Sequence, residues 1–255
     1  MARDKKQINL AAIAGDGITC CGLQLFPLKV KDIGVYDTCK SALLVRQATL
    51  PASYMVMPYL NALFALEMDS GGKAPLFSCM IRLLSVSTHL EPSRFIITAD
   101  KENVTRLKRV IVLTGDDSAV ELKPGVFAQI REKIAQINGD EIPDESENPE
   151  LVEAATDLSA QQQLSLEYDL ETMISSVAAS MNKRPKDVLD WTIYEFKKVR
   201  EAKTRIIRHI VCGIGEQSGF VKWKHGNPVP CWYLDKQSEN AALQPLSELS
   251  SRLGI

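Results

Sequence analysis

Histidine is scarce in this chain, three among 255 residues, so a serine or cysteine nucleophile has few candidate bases. No Gly-x-Ser-x-Gly stretch places a serine on a sharp turn, so an activated hydroxyl nucleophile has no evident seat. Gly15-Asp16-Gly17 and Gly71-Gly72 lack the Gly-Lys-Ser/Thr that completes a phosphate cradle. No Cys-x-x-Cys pair occurs among the six cysteines, at 20, 21, 39, 79, 212 and 231. Adjacent Cys20 and Cys21 are poorly placed to bond each other, and Cys39, Cys79 and Cys212 read as small hydrophobes on helix faces. A reduced, cytosolic chain is the expectation.

Long apolar runs are also missing. The most apolar stretch, 54–68, is interrupted by Pro58, Asn61 and Glu67. It is about 15 residues long against the roughly 20 that a spanning helix needs, so it predicts a buried core helix and no membrane segment. The charged opening Met-Ala-Arg-Asp-Lys-Lys has no apolar region after it, and export is not expected. Charge of one sign is missing overall. A net charge of −2 disfavours wholesale binding to nucleic acid or to a membrane surface. With 45% hydrophobic and 24% charged residues, the chain has enough apolar material to order itself.

Periodicity and punctuation divide what is there. Residues 1–22 are polar or small and predict a flexible tail. Asp32 is placed to cap a helix with Val35, Tyr36, Cys39, Leu43 and Leu44 at spacings of three and four, and Leu50-Pro51 ends that pattern. Pro58 and Pro75 open two further helices, running to Met68 and to about Leu90, separated by Ser70-Gly71-Gly72. Strand-like alternation follows at 94–98, 109–114 and 119–122, with a hairpin connection at 115–118. Pro124 starts another helix, which Asn138-Gly139 stops with a left-handed cap. Residues 23–139 therefore predict a helical layer on a small antiparallel sheet.

Composition then shifts. No Lys or Arg occurs between Ile134 and Asn182, while eleven acids occur from Asp140 to Glu171. Residues 140–164 predict an acidic linker followed by a polar helix. Residues 165–255 predict a C-terminal helical domain with a short hairpin. In it, a helix at 169–181 precedes a brief one opened by Pro185, and Thr192 and Glu195 form a capping box for a long helix to about Gln217. The apolar stripe of that helix is Ile193, Phe196, Val199, Ile206 or Ile207, Ile210 and Ile214. Residues 183–209 hold nine Lys or Arg against four acids. The fold class expected is α+β, mainly helical.

Three groups of residues invite a functional reading. His209, Cys212, His225 and Cys231 are a donor set that zinc accepts. Their spacing fits no standard finger, and His225-Gly226-Asn227 reads as a turn, so neither metal nor cofactor is expected. Residues 171–190 offer helix, tight turn and helix beside Lys183, Arg184 and Lys186, the outline of a DNA-binding helix-turn-helix. Its second helix is only about six residues, with few Asn, Gln or Arg side chains for base edges, which disfavours nucleic acid as a partner. Trp191, Trp223, Trp232 and Tyr233 concentrate aromatic surface near the C-terminus. Trp191 is expected in the core. Trp223 and Trp232, on the hairpin, suit a protein-binding hot spot.

The stretch 176–200 (SVAASMNKRPKDVLDWTIYEFKKVR) resembles a pattern in phage tail assembly chaperones. In that pattern a short helix, a half-turn of the form x-Pro-x-x-apolar and a polar helix start recur near the C-terminus. Pro185-Lys186-Asp187-Val188-Leu189 and Trp191-Thr192-Ile193-Tyr194-Glu195-Phe196 carry the likeness here. Gly219-Phe220-Val221-Lys222, Gly226-Asn227-Pro228-Val229-Pro230, and the phrases Ile130-Arg131-Glu132 and Asn148-Pro149-Glu150-Leu151 are similar to tail-region proteins as well. The resemblance implies a non-catalytic protein of the bacterial host cytoplasm that binds phage tail proteins such as the tape measure, the tail tube or the baseplate, and that forms homo-oligomers. The alternatives are a structural tail or baseplate subunit of the virion and a helix-turn-helix DNA-binding regulator. Phe196, Arg200, Lys203, Trp223 and Trp232 are the partner-binding residues expected.

Overall fold

The computed structural model describes residues 2–115, 118–145 and 169–219. The first helix, α1 (Ala2–Ala14), is where composition predicts a tail. Ile8 and Ala12, four residues apart and so on one helix face, are buried in the main core, and α1 packs on the helix that follows the sheet. A two-strand hairpin comes next, β1 (Ile18–Cys20) and β2 (Leu23–Leu25). Cys20 pairs with Leu23 across Cys21 and Gly22, whose φ angles of 51° and 83° are those of a two-residue turn matching strand twist. Leu23 and Leu25 alternate inward and are fully buried.

The helical layer follows the expected punctuation. It comprises α2 (Ile33–Leu44), a single turn α3 (Ala52–Met55), α4 (Tyr59–Asp69) and α5 (Leu76–Thr88), with Pro58 and Pro75 at the N-caps of the last two. Asp32 stands at the N-cap of α2 but makes no side-chain cap hydrogen bond. The apolar stretch around Pro58 is two helices, and Val56 between them faces solvent. Residues 33, 35 and 44 pack at the edge of the core, while Tyr36, Cys39, Ala42 and Leu43 bury fully against α5.

The three strands are β3 (Phe95–Ala99), β4 (Leu107–Leu113) and β5 (Ala119–Glu121), antiparallel in that order, with Phe95 opposite Val112 and Val112 opposite Val120. Phe95, Leu107, Val110 and Val112 face the helices. The helix α6 (Pro124–Ile137) closes the layer, and Gly139, at φ 75°, provides the left-handed residue that ends it.

The C-terminal elements are α7 (Leu170–Ser180), a single turn α8 (Pro185–Val188) and α9 (Ile193–Gln217). The Asp169 carboxylate accepts the Thr172 N–H and caps α7. The chain divides into two compact units, one extending to Lys197 and one beginning at Lys198. Composition places a boundary at residue 140 instead. The first unit runs past that point because backbone groups on both sides of it bond each other. The Val30 N–H donates to the Trp191 carbonyl (2.9 Å), the Lys31 N–H to that of Leu189 (3.1 Å) and the Ile193 N–H to that of Leu28 (2.8 Å). Overall the described residues form an α+β, mainly helical fold with antiparallel sheets of two and three strands. None of their helices is long and apolar enough to cross a membrane.

Candidate docking helix and its anchor

Thr192 begins α9 by accepting the Glu195 N–H on its hydroxyl (3.0 Å), the first half of the expected capping box. Burial pushes the Glu195 carboxyl above its ordinary range, while Lys183 and the Thr192 backbone N–H act in the opposite sense. Ile193, Tyr194 and Phe196 then enter the core of the first unit. One turn on, the Lys197 ammonium donates to the Asn138 carbonyl (2.9 Å) and to Asp140 Oδ2 (2.7 Å), and the Tyr36 hydroxyl donates to the same carboxylate oxygen. Burial and the Asp140 charge both raise the Tyr36 phenol above its ordinary pKa, so it stays a donor. Asn138, fully buried, binds the Leu28 N–H with its side-chain oxygen (2.9 Å) and the Ile134 carbonyl with its side-chain nitrogen (2.8 Å).

The beginning of the expected linker takes part in this anchor. Beyond Asp140, the Arg46 guanidinium donates to the Asp144 carbonyl (2.6 Å), and the Glu145 carboxylate accepts the N–H groups of Gln47 and Ala48 (both 3.0 Å). Residues 140–145 are thus tied down, because their carboxylates and carbonyls answer donors far away in sequence. The rest of the linker and its polar helix lie outside the described residues. Nearby, Arg131 is buried, donates to the carbonyls of Leu43 (2.7 Å) and Val45 (3.1 Å), and lies 3.6 Å from the centre of the Tyr59 ring. The Tyr59 hydroxyl donates to the carbonyls of Ala42 (2.9 Å) and Val45 (3.2 Å). The carbonyls of Ala42 and Leu43 in the last turn of α2, and that of its C-cap Val45, thereby gain donors.

In the second unit, α9 presents a different surface. Ile207, Ile210, Val211 and Ile214 are between 52% and 62% exposed. Spacings of three, four and seven set them on one face. Arg200 and Lys203 stand on the same face, seven and four residues before Ile207. Lys198 pairs with Glu201 across one turn (2.9 Å).

Of the expected partner-binding residues, Phe196 is corrected: at 2% exposure it is core and offers no surface. Arg200 is exposed and Lys203 half-buried. Trp223 and Trp232 lie outside the described residues, as do His225 and Cys231 of the zinc-competent set. His209 and Cys212 are half-buried, and among the described residues no group of three or more His, Cys, Asp or Glu could hold a metal ion. Trp191 is half-buried, with the Lys183 ammonium 5.8 Å from its ring centre. Val211 is the surface residue that the expected stripe omits, and its spacing of four from Ile207 was the available signal.

The helix-turn-helix outline has a second helix of one turn, Pro185–Val188. A single turn presents too few side chains to read a major groove. Between α7 and α8 lies a groove of about 540 Å³ lined by Asp169, Leu170, Ile174, Pro185, Lys186 and Leu189. No protein-family model, no curated protein and no solved structure matches the chain.

Proposed function

We propose that this chain is a non-catalytic phage tail morphogenesis protein that works by binding other tail proteins through the outer face of α9. The observation that carries the docking role is the row Ile207, Ile210, Val211 and Ile214, four large aliphatic side chains more than half exposed on one helix face. Scattered apolar residues are ordinary on protein surfaces, whereas a contiguous row marks an interaction site. An amphipathic helix read at these spacings is also a recurrent mode of protein recognition.

The tail assignment rests on the resemblance at 176–200, which includes the anchored first turns of α9. The proposed partners are the tape measure, the tail tube or the baseplate, met in the bacterial host cytoplasm, with self-association as a further property. A structural subunit of the virion is the alternative that shares the same surface.

Mass spectrometry of purified phage particles, run beside the lysate, tests the proposal. Presence in the lysate bound to a tail protein, with absence from particles, is the result expected of an assembly chaperone. Fixed stoichiometry in particles makes the chain a structural subunit. Absence of any tail protein bound to it in either sample overturns the reading.

A further inference from the structure

We propose that the adjacent thiols of Cys20 and Cys21 form a two-sulfur site that captures a trivalent arsenical. Consecutive residues of an extended strand send their side chains to opposite faces. Here β1 ends at Cys20, and Cys21 takes the first place of the β1–β2 turn, at φ 51°. With Cys21 in that left-handed conformation the two sulfurs come together, and the Cys20 thiol donates to Cys21 Sγ at 3.9 Å. The Cys21 thiol in turn donates to the side-chain oxygen of Gln129 on α6 (3.4 Å). Cys20 is buried and Cys21 half-buried, so a small reagent reaches the pair from the Cys21 side.

Thiol chemistry selects the ligand. Consecutive Cα atoms lie about 3.8 Å apart, short of the roughly 4.4–6.8 Å that disulfides span, so an inserted atom joins these sulfurs with less strain than a direct bond. A thiolate-bound cation such as zinc needs further donors, and among the described residues no group of three or more His, Cys, Asp or Glu could hold one. Trivalent arsenic bearing one organic group needs only two sulfurs. Burial first, and then the bond to Cys21, push the Cys20 thiol up to about 11, so it keeps its proton at neutral pH. When an organic arsenic oxide reacts, two arsenic–sulfur bonds form and the arsenic–oxygen double bond breaks. The two thiol protons leave with that oxygen as one water. Arsenic stays trivalent, nothing is oxidised or reduced, and the product puts no charge in the buried site.

The test titrates the full, reduced chain with phenylarsine oxide and weighs the intact protein by native mass spectrometry. The expected adduct is the mass of the reagent less one water. Its release by ethane-1,2-dithiol, but not by the same thiol equivalents of 2-mercaptoethanol, is the expected mark of a two-sulfur chelate. Cys21→Ser, whose hydroxyl still suits Gln129, is expected to weaken capture by at least about 100-fold, because the second bond is no longer intramolecular. Cys20→Ser is expected to do the same. Far-UV circular dichroism and thermal unfolding control for folding, and Cys21→Ser decides alone if the buried Cys20 does not tolerate serine. Cys39→Ser is expected to capture as the wild type does. The Cys39 thiol hydrogen-bonds that of Cys79, but it is wholly buried where α2 packs on α5. No capture by the wild type overturns the proposal, as does capture that Cys21→Ser retains at full strength or that the monothiol reverses equally well. Capture lost in Cys39→Ser and kept in Cys21→Ser overturns it too, by placing the site between α2 and α5.

Discussion

Lys197 and Asp140 form a half-buried ion pair, 2.7 Å between Nζ and Oδ2, joining the end of α6 to the first turns of α9. The pair is also hydrogen-bonded, because the same lysine caps the Asn138 carbonyl and the same carboxylate receives the Tyr36 hydroxyl. A half-buried pair with its remaining bonds satisfied is the kind whose disruption is felt, unlike a hydrated surface pair.

Lys197→Met is therefore expected to lower the unfolding free energy by about 1–3 kcal/mol, because it leaves Asp140 without its cation. Tyr36→Phe removes one bond to the same carboxylate, with a cost of about 1–2 kcal/mol. Urea unfolding followed by circular dichroism measures both. A double variant is expected to cost less than the two singles together, because both act on one carboxylate.

Phe196→Ala and Ile210→Ser separate core from surface on one helix. The first is expected to cost about 3–5 kcal/mol through a buried cavity. The second is expected to change stability by no more than about 0.5 kcal/mol, since its side chain is already largely in water. Equal costs in thermal unfolding would show that the outer face of α9 is covered within the folded chain.

Much of the first unit was legible from periodicity. The helices opened by Pro58, Pro75 and Pro124 and the three-strand alternation lie close to their expected positions, because proline fixes φ and β-branched residues mark strands. The helix α1 was illegible, since a sequence such as RDKKQINLAAIA buries only Ile8 and Ala12 among its described side chains and leaves Leu10 and Ile13 outside. The hairpin at Cys21-Gly22 escaped because its strands are three residues long and its first turn residue is a cysteine at positive φ. Acidity concealed the role of Asp140, Asp144 and Glu145. Composition reports charge, whereas their bonding partners, Lys197, Arg46 and the backbone of Gln47 and Ala48, come from distant segments. The same long-range closure carries the first compact unit past residue 140 to Lys197. In the face proposed for docking, Arg200 and Lys203 were legible as cations of a basic helix, whereas the burial of Phe196 depended on packing that spacing alone does not reveal.

Alkaline pH probes the contact between α4 and the C-terminal end of α2. Burial raises the Tyr59 phenol to about 12, with Arg131 pulling the other way. Its unfolded counterpart ionises near pH about 10, so the folded state keeps its proton where the unfolded state has lost it. The contribution is fully present below pH about 10 and is lost as pH rises toward 12. Spectrophotometric titration is expected to show a tyrosine fraction that ionises only together with alkaline unfolding. Ionisation of all six tyrosines in one step near pH 10 would contradict it.

Arg131→Lys is expected to cost about 2 kcal/mol, although charge is kept. A lysine offers one ammonium where the guanidinium serves the Leu43 and Val45 carbonyls at once and lies over the Tyr59 ring. Chemical denaturation measures it, and a change below about 0.5 kcal/mol would show that the α2 carbonyls find other donors.

The bonds between residues 28–31 and 189–193 set an order of events during synthesis. At about 5–20 residues per second, a ribosome takes roughly 10–30 s to travel from Val30 to Ile193, and for that interval the edge at Leu28 and Val30 has no partner. The first unit cannot close before its final turn of chain arrives. Ile207, Ile210 and Ile214 are translated only after that turn, so the face proposed for docking leaves the ribosome when the last internal bonds of the first unit are already available to form.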